Sequence, residues 1–301
     1  MTANPPQSSR QNAVPAARRA LTAEEMRAFQ RDAKIGLIAT VDALGLPHLT
    51  LITSVQAKDP THLMYGQFCE GLGKTHVKQN PCTGFLVMSP DREIWRGTAR
   101  WTHQATSGAD YETYNQKPMF RYNSYFGIHT VHYLDLVTCT PKERVDMPRM
   151  ALGSFITMVS RRLARTRERE RILKPWAEAH IGKPGTLKFF SYVGSDGYPV
   201  IIPVVPSQTA DSRRLVFAPT VYREELAVPP GARIAVFAIN LQMESVLVRG
   251  IFAGYRRYLG ARVGLLDIDW VYNSMPPKQG VIYPADPVRP VSFDHLQHPR
   301  G

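Results

Sequence analysis

Between residues 35 and 101 apolar and polar positions alternate in short runs broken by turn residues, the pattern of antiparallel strands rather than of helices. Leu49, Leu51, Thr53 and Val55 alternate with His48, Thr50, Ile52 and Ser54, which predicts one strand over 48–56 with an apolar and a semi-polar face. Strands are likewise expected over 34–41, 63–68, 82–88 and 93–103. The turn after residue 41 closes through Gly45, free to take positive φ, and others fall at 58–62 and 89–92. Ahead of them Thr22 and Glu25 form a capping-box signature, so a helix is expected to run from there to about residue 33. Residues 71–79 read as a short helix, and 129–138 as the strand that closes the first sheet.

From 148 to 181 the period changes to helical, with Met150, Phe155, Met158, Val159, Leu163, Ile172 and Leu173 as a stripe expected to dock the helix between two halves. The second half then repeats the first. Residues 187–194 match 35–42, Gly197 and Pro199 match Gly45 and Pro47, Gln208 matches Gln56, and Leu215 matches Leu63, all at an offset of 152. Val248, Arg249 and Gly250 match Trp95, Arg96 and Gly97 at 153. An ungapped match of this length means internal duplication. The expected fold class is mainly β with helices (α+β), as two tandem barrels. The leader is placed at 1–20, the first domain at 21–147, the helical linker at 148–184, and the second domain with an extended tail at 185–301.

Charge alters this picture locally. Lys and Arg number 37 against 25 for Asp and Glu, a net charge of +12. Much of the excess lies in Arg161, Arg162, Arg165, Arg167, Arg169 and Arg171, read as a solvated helix-like face, since no aromatic stacking residues accompany it and nucleic acid is not expected. The unpaired cysteines Cys69, Cys82 and Cys139 support neither a disulfide framework nor a metal site, and point to a reducing cytoplasm. No apolar run approaches the roughly 20 residues that span a bilayer, and no membrane partner is expected. The aromatic segment 111–133, with His129 and His132 inside it, reads as core or interface, and alternatively as a stacking wall for a flat ligand.

The candidate chemistry sits at Gly71, Gly73, Lys74 and Thr75, where unpaired N–H groups at a helix start and a lysine cation suit an anion. The second repeat has Glu224 and Glu225 there, so only the first suits a phosphate. With the Gly45, Pro47 turn, the strand at 63–68 and Lys74, Thr75 leading to Asn80, Pro81, this segment resembles the pyridoxamine 5′-phosphate oxidase-like, FMN-binding split-barrel superfamily. The resemblance covers 34–97 and, more weakly, 187–255.

The resemblance implies two tandem split barrels forming a pseudo-dimer within one chain, with a further homodimer left open, and FMN between the barrels with its phosphate on the first. It places Gly73, Lys74 and Thr75 at the phosphate, His48, Thr50, Leu51, Ile52 and Thr53 along the strand passing the flavin, and Tyr65, Gly66 and Gln67 at the ribityl chain and ring edge. Gln67 is of interest because its amide both donates and accepts. Arg96 or Arg92 is expected to contribute to anion binding. The implied function is an FMN-dependent reductase or oxidase of a small flat or conjugated molecule, with a nicotinamide nucleotide as a possible electron donor and no assigned catalytic residue. The alternatives are a non-catalytic flavin- or haem-binding protein and a deazaflavin-dependent reductase. The arginine-rich C-terminal segment of true pyridoxamine phosphate oxidases is absent, which puts the vitamin substrate in doubt.

Overall fold

The computed structural model describes residues 18–116, 127–166, 168, 170–274 and 280–284. Most of the leader and the tail beyond 284 lie outside them, as do Phe120, Tyr122, Tyr125, Phe126, Arg167 and Arg169. Helix α1 (Ala23–Phe29) begins with the expected capping box, the Thr22 hydroxyl accepting from the Glu25 N–H at 3.3 Å and the Glu25 carboxylate from the Thr22 N–H at 2.8 Å. It stops at Phe29, whose ring enters the first barrel.

The first sheet contains β1 (Ile35–Val41), β2 (Pro47–Leu51), β3 (Gln56–Asp59), β4 (His62–Gln67), β5 (Cys82–Met88), β6 (Glu93–Ala105), β7 (Thr130–Cys139) and β8 (Glu143–Arg144). Its order is β2-β1-β5-β6-β7-β4-β3, with β8 on β6. Helices α2 (Leu72–Gln79) and α3 (Ala109–Gln116) belong to this half. Two helices, α4 (Met147–Ser160) and α5 (Pro175–Gly182), join it to the second sheet, β9 (Leu187–Val193), β10 (Pro199–Pro203), β11 (Gln208–Thr209), β12 (Arg214–Phe217), β13 (Arg233–Ile239), β14 (Ser245–Tyr258), β15 (Ala261–Asn273) and β16 (Gly280–Tyr283). Its order, β10-β9-β13-β14-β15-β12-β11 with β16 on β15, repeats the first strand for strand through β15. The chain is therefore a duplicated, mainly β protein with helices, two tandem barrels packed as an intrachain pseudo-dimer.

Three apolar clusters hold it together. Ile38, Tyr65, Phe85, Trp95 and Leu134 fill the first barrel, and Phe190, Phe217, Val236 and Phe252 the second. The third belongs to neither, since Leu37, Ala39, Leu49 and Leu86 of the first sheet pack against Phe189, Ile201, Ala235, Phe237 and Leu247 of the second. In β1 and β2 this follows from the pleat, which sends Leu37, Ala39 and Leu49 to one face and Ile38, Thr40 and His48 to the other.

Three expectations change. The strand expected over 48–56 ends at Leu51, because the Ile52 N–H donates back to the Gly36 carbonyl at 2.7 Å and the chain turns through 53 and 54. Ile52 and Val55 then both enter the first core, which strict alternation would forbid. The described residues of the arginine segment are not helical, because beyond α4 the Thr166 N–H donates to Asp211 at 2.6 Å and Arg214 donates to the Ala164 carbonyl at 3.2 Å, tying the chain to the second barrel. In the 148–181 stripe, Met150, Ile172 and Leu173 are buried, whereas Phe155, Met158, Val159 and Leu163 are exposed.

Phe189, 1% exposed in the shared cluster, tests how far the barrels depend on each other. Phe189→Ala is expected to lower the unfolding free energy of the whole chain by about 3–5 kcal/mol. Leu44→Ala, in an exposed turn, is expected to stay within about 0.5 kcal/mol. Urea denaturation of both variants measures the difference.

Candidate functional site

On the β2 face turned away from the shared cluster, His48 and Thr50 lie beneath α2. Gly73 allows that approach, since a Cβ there would stand 2.5 Å from Thr50 Oγ1 and 3.7 Å from His48 Cδ2. Lys74 and His76 on the same helix are buried, while Thr75 faces solvent. The His48 and His76 rings meet edge to face at 5.1 Å. From the second barrel Trp270 and Tyr272, stacked parallel at 5.4 Å, stand 6.2 and 5.3 Å from the His48 ring. Arg249 lies 3.9 Å over Trp270 and donates to Asp42 at 2.6 Å. The niche thus takes one wall from each barrel.

Its polar groups are underused. Thr40 Oγ1, His48 Nδ1, Thr50 Oγ1 and His76 Nδ1 are buried without a hydrogen-bond partner among the described residues. Thr40 and His48 face each other across β1 and β2. A buried donor or acceptor without a partner costs about 1–3 kcal/mol, so several in one place favour a polar ligand there. Burial, then the His76, Arg249 and Lys74 charges, holds His48 well below the ordinary histidine range. Burial also lowers His76, against the pull of Asp42, and lowers Lys74, against Cys69 and Glu70.

The other sequence-derived residues lie elsewhere. Leu51 packs at the edge of the shared cluster, Ile52 inside the first barrel, and Thr53 in the turn. Tyr65 points into the first barrel and stacks on His132 at 4.7 Å, and Gly66 packs under Ile128. Gln67 is engaged at both ends of its amide, donating to Glu70 at 3.1 Å and accepting from His132 Nε2 at 2.7 Å. Trp101 Nε1 donates to His132 Nδ1 at 3.1 Å, which fixes the neutral tautomer. In the aromatic segment Tyr114 and Tyr133 are core residues, Tyr114 donating to the Ser54 carbonyl at 2.8 Å, while His129 lies at the surface.

Arg96 faces the other barrel. It is 4% exposed and donates to Glu143 at 3.0 Å and, through two nitrogens, to Glu225 at 2.7 and 2.9 Å, with the Tyr222 ring 4.8 Å away. Burial opposes its charge, but the Glu225 hydrogen bond and the neighbouring carboxylates outweigh that and raise its pKa. At the repeat offset of 152, Glu225 stands where the first repeat has Gly73. The second repeat therefore has a carboxylate where the first has a glycine packed closely against Thr50. Reading the residues of one repeat at a time missed Arg249, Trp270 and Tyr272. The signal for Arg249 was present, since it is the repeat mate of Arg96.

His132 gives a pH prediction. Burial, then the Lys74 and Lys78 charges, lowers its pKa to about 4. The unfolded chain, with an ordinary histidine pKa near 6.5, takes up the proton first. The stability from neutral His132 is therefore complete above about pH 6.5 and is lost as pH falls towards about 4. His132→Gln is expected to be less stable at pH 7 and to lose less between pH 7 and pH 4.5, as measured by urea midpoints.

No family model matches the chain, and no curated protein matches it. Among solved structures, HupZ of Group A Streptococcus is 18% identical, over 40% of this chain and 98% of that one, at a TM-score of 0.34. An FMN-binding protein of Syntrophomonas wolfei is 12% identical over 40% and 86% at 0.33, and a FAD-binding protein of Mesorhizobium loti 15% identical over 42% and 97% at 0.29. What the structure itself establishes is one sheet order built twice, in two tandem, mainly β barrels.

Proposed function

We propose that the chain binds a flavin by its phosphate in the niche between α2 and the second barrel, and acts as a flavin-dependent oxidoreductase on a small flat or conjugated molecule. The observation that carries this reading is the convergence, at the seam of the two barrels, of Lys74 with the partnerless polar atoms of His48, Thr50 and His76. Unpaired N–H groups and cations at a short helix suit a terminal phosphate, so FMN is the form we favour. The Trp270–Tyr272 stack forms an aromatic wall beside the anion site. A bound flavin would supply hydride or electron transfer. The protein's part is to hold the phosphate with Lys74, His48, His76 and Thr50. Tyr65 and Gln67, committed to His132 and Glu70, support the strand that leads into α2. A nicotinamide nucleotide as electron donor is part of the same proposal.

Titration of the protein with FMN, followed by visible absorption, tests this reading. Wild type is expected to take up one flavin per chain, and Lys74→Ala to weaken binding about tenfold or more through loss of a charge-assisted contact. No uptake by wild type would overturn the reading.

Protonation gives a second test. His48, His76 and Lys74 are held towards their neutral forms in the free protein, and a phosphate would favour their charged forms. Binding should therefore take up protons and tighten as pH falls from 8 to 6. Calorimetry in buffers of different ionisation enthalpy measures the uptake, and proton release on binding would contradict it.

A further inference from the structure

Helix α4 buries a side of small and mixed residues and exposes most of its large apolar ones. Met150, Gly153, Thr157 and Ser160 face the protein. On the opposite side Leu152, Phe155, Met158 and Val159 are between 41% and 60% exposed, and Leu163, just past the helix end, is 56% exposed. No charged residue occurs between Arg149 and Arg161. A contiguous exposed apolar face of this kind is ordinarily covered.

Cations frame the exposed face. Arg149 stands at one end. At the other, Arg161, Arg162, Arg165, Arg171 and Lys183 line a groove of about 560 Å³ in which Glu178 is the one carboxylate, and it is already paired with Arg171. The groove is fixed in place, with Arg165 donating to the Ala210 carbonyl at 3.2 Å and Thr166 tied to Asp211.

We propose that this surface docks on an anionic membrane. The α4 side chains would enter the interface between headgroups and acyl chains, and the arginines of the groove would take lipid phosphates. A hydrocarbon layer edged by negative charge complements an apolar strip edged by arginines. A second copy of the chain fits less well, because an antiparallel pairing about Phe155 sets Arg149 of one copy against Arg161 of the other. The strip is also small. A helix of 14 residues is about 21 Å long and 10 Å wide, roughly a quarter of the ~800 Å² that each partner of a stable dimer buries. This proposal is independent of the flavin reading.

The test is co-sedimentation of the full chain with vesicles of phosphatidylglycerol and phosphatidylcholine, and with vesicles of phosphatidylcholine alone. Binding is expected to the anionic vesicles only. It should weaken about tenfold or more in Phe155→Ser/Val159→Ser, from the loss of two partly inserted apolar side chains, and also in Arg161→Gln/Arg162→Gln. All four positions are solvent-facing, and unchanged unfolding midpoints would establish that the variants fold. Absence of binding to anionic vesicles would overturn the proposal. So would binding that the apolar substitutions leave unchanged, which would be only the general attraction of a +12 chain. A dimer in light scattering that the same substitutions dissociate would assign the face to a second copy instead.

Discussion

Each barrel has one outward sheet face that water cannot cover, and the two faces bury each other. Leu37, Leu49 and Leu86 on one side and Phe189, Ile201 and Phe237 on the other are each at most 2% exposed. This shared core sets the distance and angle at which the barrels meet. It therefore also decides what lies at the rim, where polar groups from the two repeats approach each other. The niche around His48 and the ion pairs of Arg96 and Arg249 are rim features. The Arg96–Glu225 and Arg249–Asp42 pairs would not exist in a single barrel, because each takes its guanidinium from one repeat and its carboxylate from the other.

The fold was largely legible in the sequence, because period-two alternation, turn residues and a repeat at constant offset are local or self-referential signals. The strand expected over 48–56 was misread because Ile52 and Val55 are core residues on either side of a turn, and apolarity alone cannot distinguish a turn between two core residues from a continuing strand. The arginine segment was misread because its hydrogen bonds go to Asp211 and Ala210, far along the chain. The candidate site was legible only in part. His48, Thr50, Gly73 and Lys74 come together as expected, since all lie within one repeat. Tyr65 and Gln67 satisfy each other's neighbourhood through His132, a partner that sequence spacing does not reveal.

The two repeats face the same physical problem at the rim and resolve it differently. A buried arginine needs a hydrogen-bonded counter-charge, because an unpaired one is strongly destabilising. Arg96 of the first repeat meets Glu225 of the second through two hydrogen bonds and Glu143 through a third, so its charge is balanced within the chain. In the first repeat Asp42 balances Arg249 by one contact, and Gly73 stands where Glu225 would be. Beside it His48 Nδ1 and His76 Nδ1 have no partner among the described residues, and burial lowers the pKa of both histidines. The repeats thus differ at the rim, where one sets a carboxylate against the other barrel's arginine and its mate sets a glycine against Thr50.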